Sequence, residues 1–525
     1  MMFFKVISIF IIFFAMNCYG SVPSIDNSKE CLSCEALMKR IETTWTNETT
    51  VQGILNKLEK DCEHIPDPDV IATCESIAKV LVTIPPSIFA GMESLAWPIP
   101  RATCAMASKC IMDCCSADGV PEQIHLSLAS NDRSKMGVTW VTLTDSGSIV
   151  QYGVTEDNLE FTNNGDTNTY TQAGWKGMIH KAIMLNLKPA TTYYYRVGDG
   201  EIWSKIHTFT TYNPASTSTT FAVIADMGYG EAGSATVESL MRRVEKNEID
   251  VIIHSGDVGY ADGYQRHWDV FFNKIEPMAA HIPYMTTPGN HEFWFNFTAY
   301  KERVFMPGSG IGGGVAPPLH HSINIDDSNS RSDGLDQGGS GDSMYYAWEY
   351  GKVHFVALNS ETPLDTGNFK DDMMDWAASD MKSIDREVTP WLMSHFHRPI
   401  YCSNDRACEA KSSGRLRHQV EEVFNDNQVD LVFYGHIHAY ERTSEVYHQH
   451  KMRPGKAPVY ILQGSSGNRE GNKGSYPTPD ELPDWSQSQH TEVGYGLMTV
   501  SDNELHWQFF ESGTDVLLDE VTLKK

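Results

Sequence analysis

Positive charge is scarce in this chain. Its 41 Lys and Arg residues stand against 68 Asp and Glu, a formal net charge of −27. That balance argues against nucleic acid and against an anionic membrane surface as partners at neutral pH. It suits an acidic compartment, where carboxylates and the 20 histidines take up protons. Beyond the N-terminal segment no apolar run is long enough to span a bilayer, and the C-terminus has neither a hydrophobic tail nor a retention signal. The Cys31-Leu-Ser-Cys34 pair has no second CxxC to complete a zinc site. What the chain does have is core material. Its 525 residues are 41% hydrophobic and 11% aromatic, which suits a globular protein of roughly three domains at about 150 residues each.

Lys5 followed by the apolar run Val6 to Ala15 reads as a secretory signal over residues 1–20, cut after Gly20; the run is short for a membrane anchor. The expectation is a secreted or lysosomal protein. Losing Cys18 from eleven cysteines leaves ten, an even number on an oxidising route. Eight of these lie between Cys31 and Cys115. Asn47-Glu48-Thr49 and Asn296-Phe297-Thr298 fit the N-glycosylation sequon, so Asn47 and Asn296 are expected carriers of glycan.

Three compositional zones follow. Residues 27–116 are cysteine-rich, with apolar residues at helical spacing (Val51, Ile54, Leu55, Leu58) and breaks at Pro85-Pro86 and at Pro98 and Pro100. Six cysteines permit 15 pairings. Their order resembles the saposin B-type family, which implies an all-α domain pairing Cys31 with Cys110, Cys34 with Cys104 and Cys62 with Cys74. Two roles stay open for it, lipid contact or packing against the rest. Cys114 and Cys115 lie outside the six, leaving an adjacent disulfide, separate pairing or a link between two chains. Residues 119–212 carry short alternating strands such as Met136 to Thr142 and Thr192 to Val197, a β-sandwich of fibronectin or immunoglobulin type with Trp140 as a core anchor. Residues 212–219 read as linker. From 219 to 525 apolar strands alternate with helices, predicted over 234–247 and 265–280, giving an α/β domain of two packed mixed sheets flanked by helices. Its C-terminal subregion spans about 455–525, where strands near 495–500 and 504–511 are expected to complete the second sheet. The Gly/Ser/Asp-rich stretch 308–342 reads as a surface insertion.

Five motifs stand at the ends of strand-like runs: Asp226-Met-Gly228, Gly256-Asp257-Val-Gly-Tyr260, Gly289-Asn290-His291-Glu292, His397-Arg-Pro399 and Gly435-His436-Ile-His438. Open α/β sheets bind ligands there. A lone Asp at such a point is often a helix cap and a lone His often a core residue, but five in series are not explained that way. Carboxylate, amide, phenol and imidazole without cysteine suit iron, zinc or manganese. Two ions about 3.5–4 Å apart can clamp both oxygens of a phosphoryl transfer, and the Asp257 carboxylate is placed to bridge them.

The set resembles the purple acid phosphatases, calcineurin-like metallophosphoesterases, over about residues 119–525. The resemblance implies Asp226, Tyr260 and His438 on Fe(III), Asp257 bridging, and Asn290, His397 and His436 on a divalent ion (Zn, Fe or Mn). It selects His397 over the nearby His395 through the string His-Arg-Pro-Ile-Tyr-Cys-Ser-Asn, and it implies a Cys402–Cys408 disulfide. It implies hydrolysis of phosphate monoesters by attack of a hydroxide bound at the dinuclear centre, with His291 binding phosphate and protonating the leaving alcohol. A rival role for His291 is to orient Asn290. Glu292 and Glu441-Arg442 read as supporting groups. Plant-type members carry adjacent histidines soon after His-x-Pro; here Ser403-Asn404-Asp405-Arg406 stands instead, and His320-His321 is a distant substitute.

The expected partner is a phosphate ester, with lipid contact through the saposin-like module and a homodimer as further expectations. A lipid phosphodiesterase like acid sphingomyelinase also joins a saposin-like to a metallophosphoesterase domain. That family opens with Asp-x-His and uses zinc, whereas this chain has Asp226-Met-Gly228, Tyr260 and an intervening β-domain. A catalytically dead lipid-binding protein ranks last, since all seven ligand positions are filled.

Overall fold

The computed structural model describes residues 112–115, 119–309, 339–362, 367–404, 410–472 and 474–525. The signal segment, Asn47, the six saposin-like cysteines, His320-His321 and Cys408 lie outside these residues. Met112–Asp113 pairs in parallel with Trp175–Lys176 of the β-domain, so the chain already lies against that domain before residue 116. Cys114 is disulfide-bonded to Cys115, the first of the three options for that pair. Among the described residues no helix is long and apolar enough to cross a membrane.

The β-domain forms because its strands alternate inward apolar residues with outward polar ones, as in Thr192–Gly198, where Tyr193, Tyr195 and Val197 are buried. Two four-stranded sheets result. One orders His207–Thr210, Thr192–Gly198, Ile149–Gly153 and Phe161–Asn164; the other orders Glu122–Ser127, Met136–Thr142, Met178–Met184 and Asp166–Asn168. Trp140 is fully buried and stacked on His180, a core anchor as expected.

The second unit has two sheets packed face to face. In the first, Tyr284–Thr287, Val251–Ser255 and Thr219–Ile224 run parallel. The open side of Thr219–Ile224 then takes Gly494–Val500, Glu504–Glu511 and Leu517–Lys524, all antiparallel. This corrects the sequence reading, which gave the C-terminal strands to the second sheet. The free edge of a largely buried strand needs a partner for its N–H and C=O groups, and the apolar Gly494–Val500 supplies it. The second sheet orders Tyr346–Tyr350, Val353–Ala357, Trp391–His395, Leu431–Tyr434, Val459–Gln463 and Tyr440–Tyr447, with His450–Lys451 and Ser486–His490 paired to the last of these. Phe221 on Phe355, Phe433 on Trp507 and Tyr440 on Phe509 join the two sheets. Helices Ser234–Glu245 and Arg266–Ala279 fall close to the predicted spans. Asp371–Ser383 and Ala410–Asp426 contribute Met373, Leu416, Val420 and Phe424 to a second core.

Buried polar groups fasten the two units together. Arg303, at the end of helix Trp294–Arg303, donates to Asp269 Oδ1 at 2.9 Å, Tyr170 Oη at 2.8 Å and Gln123 Oε1 at 3.0 Å. Trp175 Nε1 and Gln123 Nε2 also donate to Asp269. The same helix follows the Asn290–Glu292 turn, so this lock anchors the far end of the element that begins at the site.

Candidate metal centre

Five of the parallel strands deliver a donor just past the C-terminal end. Asp226 follows Thr219–Ile224, Asp257 follows Val251–Ser255, Asn290 follows Tyr284–Thr287, His397 follows Trp391–His395 and His436 follows Leu431–Tyr434. Apolar residues bury the strands on both faces, which leaves the first residues beyond them to face the crevice. The turns are sharp. Asp226, Asp257, Tyr260 and His436 all take positive φ, between 49° and 72°, a conformation non-glycine residues adopt at a cost of order 1–3 kcal/mol each. Glycine is required beside them: a Cβ on Gly289 would lie 2.2 Å from Asp257 Oδ1, and one on Gly435 would lie 2.1 Å from Asp226 Oδ2.

Two triads result. Tyr260 Oη lies 3.1 Å from Asp226 Oδ1 and 2.8 Å from His438 Nε2. His397 Nε2 lies 3.0 Å from Asn290 Oδ1 and 3.2 Å from His436 Nδ1. Asp257 Oδ2 reaches His397 Nε2 at 3.1 Å, and the charge of Asp257 acts on Asp226 and Tyr260. Potential ligand atoms of Asp257, His397 and His436 all lie within 4.8 Å of one another. All seven predicted ligands are thus brought together. His395 is not among them: it is buried with neither ring nitrogen hydrogen-bonded, near Trp348 and Phe355.

The electrostatics fit a cation. Burial and the nearby Asp226 and Asp257 carboxylates hold the Tyr260 phenol well above its ordinary range. A phenolate there requires positive charge between the carboxylates, which a metal ion supplies. Burial pushes Asp226 up. It also pushes Asp257 up, but His397 and His291 outweigh it and hold that carboxyl below the usual range. Burial lowers His397, but Asp257 and Asp226 bring it up to about 9. Hard oxygen and imidazole donors, with no thiolate, fit iron, zinc or manganese.

His291 stands against this cluster. Its backbone N donates to Asp257 Oδ1 at 2.8 Å and its ring lies over Tyr260, centroids 4.1 Å apart. Its Nδ1 is 2.5 Å from Asp262 Oδ1, which leaves Nε2 3.7 Å from Asp257 Oδ2 and 3.9 Å from Glu470 Oε1. Burial lowers its pKa, but Asp262 and Asp257 carry it up to about 10. Arg469 pairs with the other oxygen of Asp262. Glu292 caps the turn by accepting from Gly289, Val258 and Gly259 N–H groups, and Glu441 and Arg442 bind Ser403 and Asp519, supporting roles as expected. Cys402 is disulfide-bonded.

Sequence reasoning gave no role to Asp262, Arg469, Glu470, Arg398 or Glu361. Asp262 ends the Gly256–Asp262 stretch and was within reach of it. Arg469 and Glu470 belong to a loop some 200 residues further on, and only the fold sets them beside His291. Ser403, in the stretch where the resemblance implies a histidine pair, is bonded to Glu441, and Glu470 joins Asp257 beside His291 Nε2.

Candidate metal ligands at the strand ends of two packed mixed sheets are the arrangement of a metallophosphoesterase. Residues 219–440 match the calcineurin-like phosphoesterase family, residues 121–211 the purple acid phosphatase N-terminal domain, and residues 457–520 the iron/zinc purple acid phosphatase-like C-terminal region. The chain is 32% identical over 411 residues to probable purple acid phosphatase 20 of Arabidopsis thaliana, covering 76% of this chain and 86% of that one. It is 30% identical over 446 residues to acid phosphatase type 7 of Danio rerio, covering 77% and 91%. A purple acid phosphatase from yellow lupin, Lupinus luteus, shares the fold with a TM-score of 0.64 at 22% identity, covering 77% of this chain and 74% of that one. The chain belongs to the purple acid phosphatase family and is a metal-dependent acid phosphatase. The lipid phosphodiesterase alternative receives no support from these relatives.

Proposed function

We propose that this enzyme hydrolyses phosphate monoesters at a dinuclear site in which Asp226, Tyr260 and His438 hold Fe(III), Asn290, His397 and His436 hold a divalent ion (Zn, Fe or Mn), and Asp257 is shared. The observation that carries the reading is the division of the donors into two hydrogen-bonded triads with Asp257 between them. When bound, such a pair of ions supplies Lewis acidity at the phosphoryl group. The protein's own part is positional. Asp262 takes the Nδ1 hydrogen bond of His291 and turns Nε2 toward the centre. A protonated His291 there binds a phosphate oxygen and delivers a proton to the departing alcohol oxygen. Buried strands and the Glu292 cap hold both donor turns rigid.

The same reading makes the protein an exported glycoprotein, secreted or lysosomal. Asn296 is exposed on a left-handed turn, accessible to glycan attachment. The saposin-like module and its three disulfides belong to this reading as the resemblance implies them, with lipid contact or packing against the rest as its role; a homodimer is a separate expectation.

The test compares Asp257→Asn with wild type on p-nitrophenyl phosphate and its bis-ester, with metal content measured in both. Wild type should prefer the monoester, and Asp257→Asn should lose bound metal and fall to background. Full activity in Asp257→Asn, or preference for the diester, overturns the reading.

A further inference from the structure

Behind the donor set lies an ion pair that the proposed chemistry does not use. Glu361 is fully buried and Arg398 is 3% exposed. Arg398 Nε donates to both Glu361 oxygens, at 2.9 and 3.0 Å. Ser360 Oγ accepts from the Arg398 backbone N at 3.0 Å and donates to Glu361 Oε1 at 2.9 Å. The turn after strand Val353–Ala357 therefore grips both the main chain and the side chain of the residue next to His397. Arg398 also reaches across the site, its Nη1 3.2 Å from Nε2 of His436, whose Nδ1 faces His397.

A buried ion pair seldom outdoes apolar packing in stability, so its position is the more informative fact. This one adjoins His397 along the chain and meets the His436 ring. Asp226, Tyr260 and His438 bond to one another, and Asp226 Oδ2 meets His436 through its main-chain N at 2.8 Å, whereas Arg398 meets the His436 ring. We propose that Glu361 and Arg398 are positioning residues for the divalent half of the centre, holding the residue next to His397 and the His436 ring, with the Glu361 carboxylate offsetting guanidinium charge beside the ion. The proposal rests on the dinuclear assignment above.

The test strips the divalent ion with a chelator and titrates Zn²⁺ back into wild type, Glu361→Gln and the double variant Glu361→Gln/Arg398→Gln, following bound zinc and the visible iron band. Supporting partners of metal ligands typically tune affinity about 10- to 100-fold. Glu361→Gln, which takes the bidentate carboxylate away from the guanidinium, should weaken zinc binding by about that factor. The double variant, which removes both members of the ion pair and so keeps the test open if the single variant does not fold, should weaken it less than the single variant. Both should keep the iron band, and the thermal unfolding of the metal-free double variant should stay near wild type. Wild-type zinc affinity in both variants overturns the proposal, as does loss of the iron band together with the zinc. A wild-type protein that binds no second ion instead overturns the dinuclear assignment itself.

Discussion

Replacing Arg303 with Met removes the centre of the lock between the β-domain and the catalytic unit. Three donated hydrogen bonds disappear, to Asp269, Tyr170 and Gln123. Asp269 stays buried, its carboxylate hydrogen-bonded to Trp175 and Gln123 and left with the charge of Arg266 nearby. Breaking a buried pair from one side costs about 3–5 kcal/mol, because the remaining charge is uncompensated. For a unit of this size that lowers the thermal midpoint by roughly 5–15 °C. Much of the loss comes from the stranded carboxylate, so adding Asp269→Asn should recover a large part of it. Helix Trp294–Arg303 continues from the turn bearing Asn290 and His291, so activity should fall more steeply with temperature in the single variant. Differential scanning fluorimetry of wild type, Arg303→Met and Arg303→Met/Asp269→Asn, with activity after brief heating, reads this out. A single variant that melts like wild type, or a double variant that melts no higher than the single one, refutes the reasoning.

Two further outcomes follow from particular contacts. His354 joins Glu349 Oε1 at 3.1 Å to Asp380 Oδ2 at 2.8 Å; burial lowers its pKa, but these carboxylates carry it up to about 9. Because the folded value lies above the unfolded one, its stabilisation is complete below about pH 6.5 and is lost as pH rises through about 9. His354→Asn should therefore cost about 2–3 kcal/mol in urea unfolding at pH 5.5 and little at pH 10, and an equal cost at both refutes the assignment. Gly289→Ala should lose metal and activity together, since its Cβ would fall 2.3 Å from the Asp257 backbone N as well as on its carboxylate. Full metal content in that variant would contradict the close approach.

The donor set was legible because each ligand sits at the end of an apolar run, a one-dimensional signal that survives without the fold. The β-sandwich was legible through alternation, as in Thr192–Gly198. Sheet membership was not. Glu504–Glu511 reads as a strand in either sheet, and only the unpaired edge of Thr219–Ile224 decides between them. Helix Trp294–Arg303 escaped because Phe295, Asn296 and Phe297 open it with left-handed turns and break the helical period. The ion pairs were invisible for another reason. Arg303 and Asp269 are 34 residues apart, Arg398 and Glu361 are 37, and a charged residue in sequence looks alike whether buried or solvated. Arg469 reaches Asp262 only because two loops meet at the same strand ends.

The most direct measurement is the visible absorption spectrum and metal content of the purified protein beside its Tyr260→Phe variant. The dinuclear account predicts iron plus one divalent ion per chain and a broad visible band that Tyr260→Phe abolishes, the signature of phenolate on Fe(III). An active wild-type protein that is colourless and holds only zinc would contradict it, as would a band that persists in Tyr260→Phe.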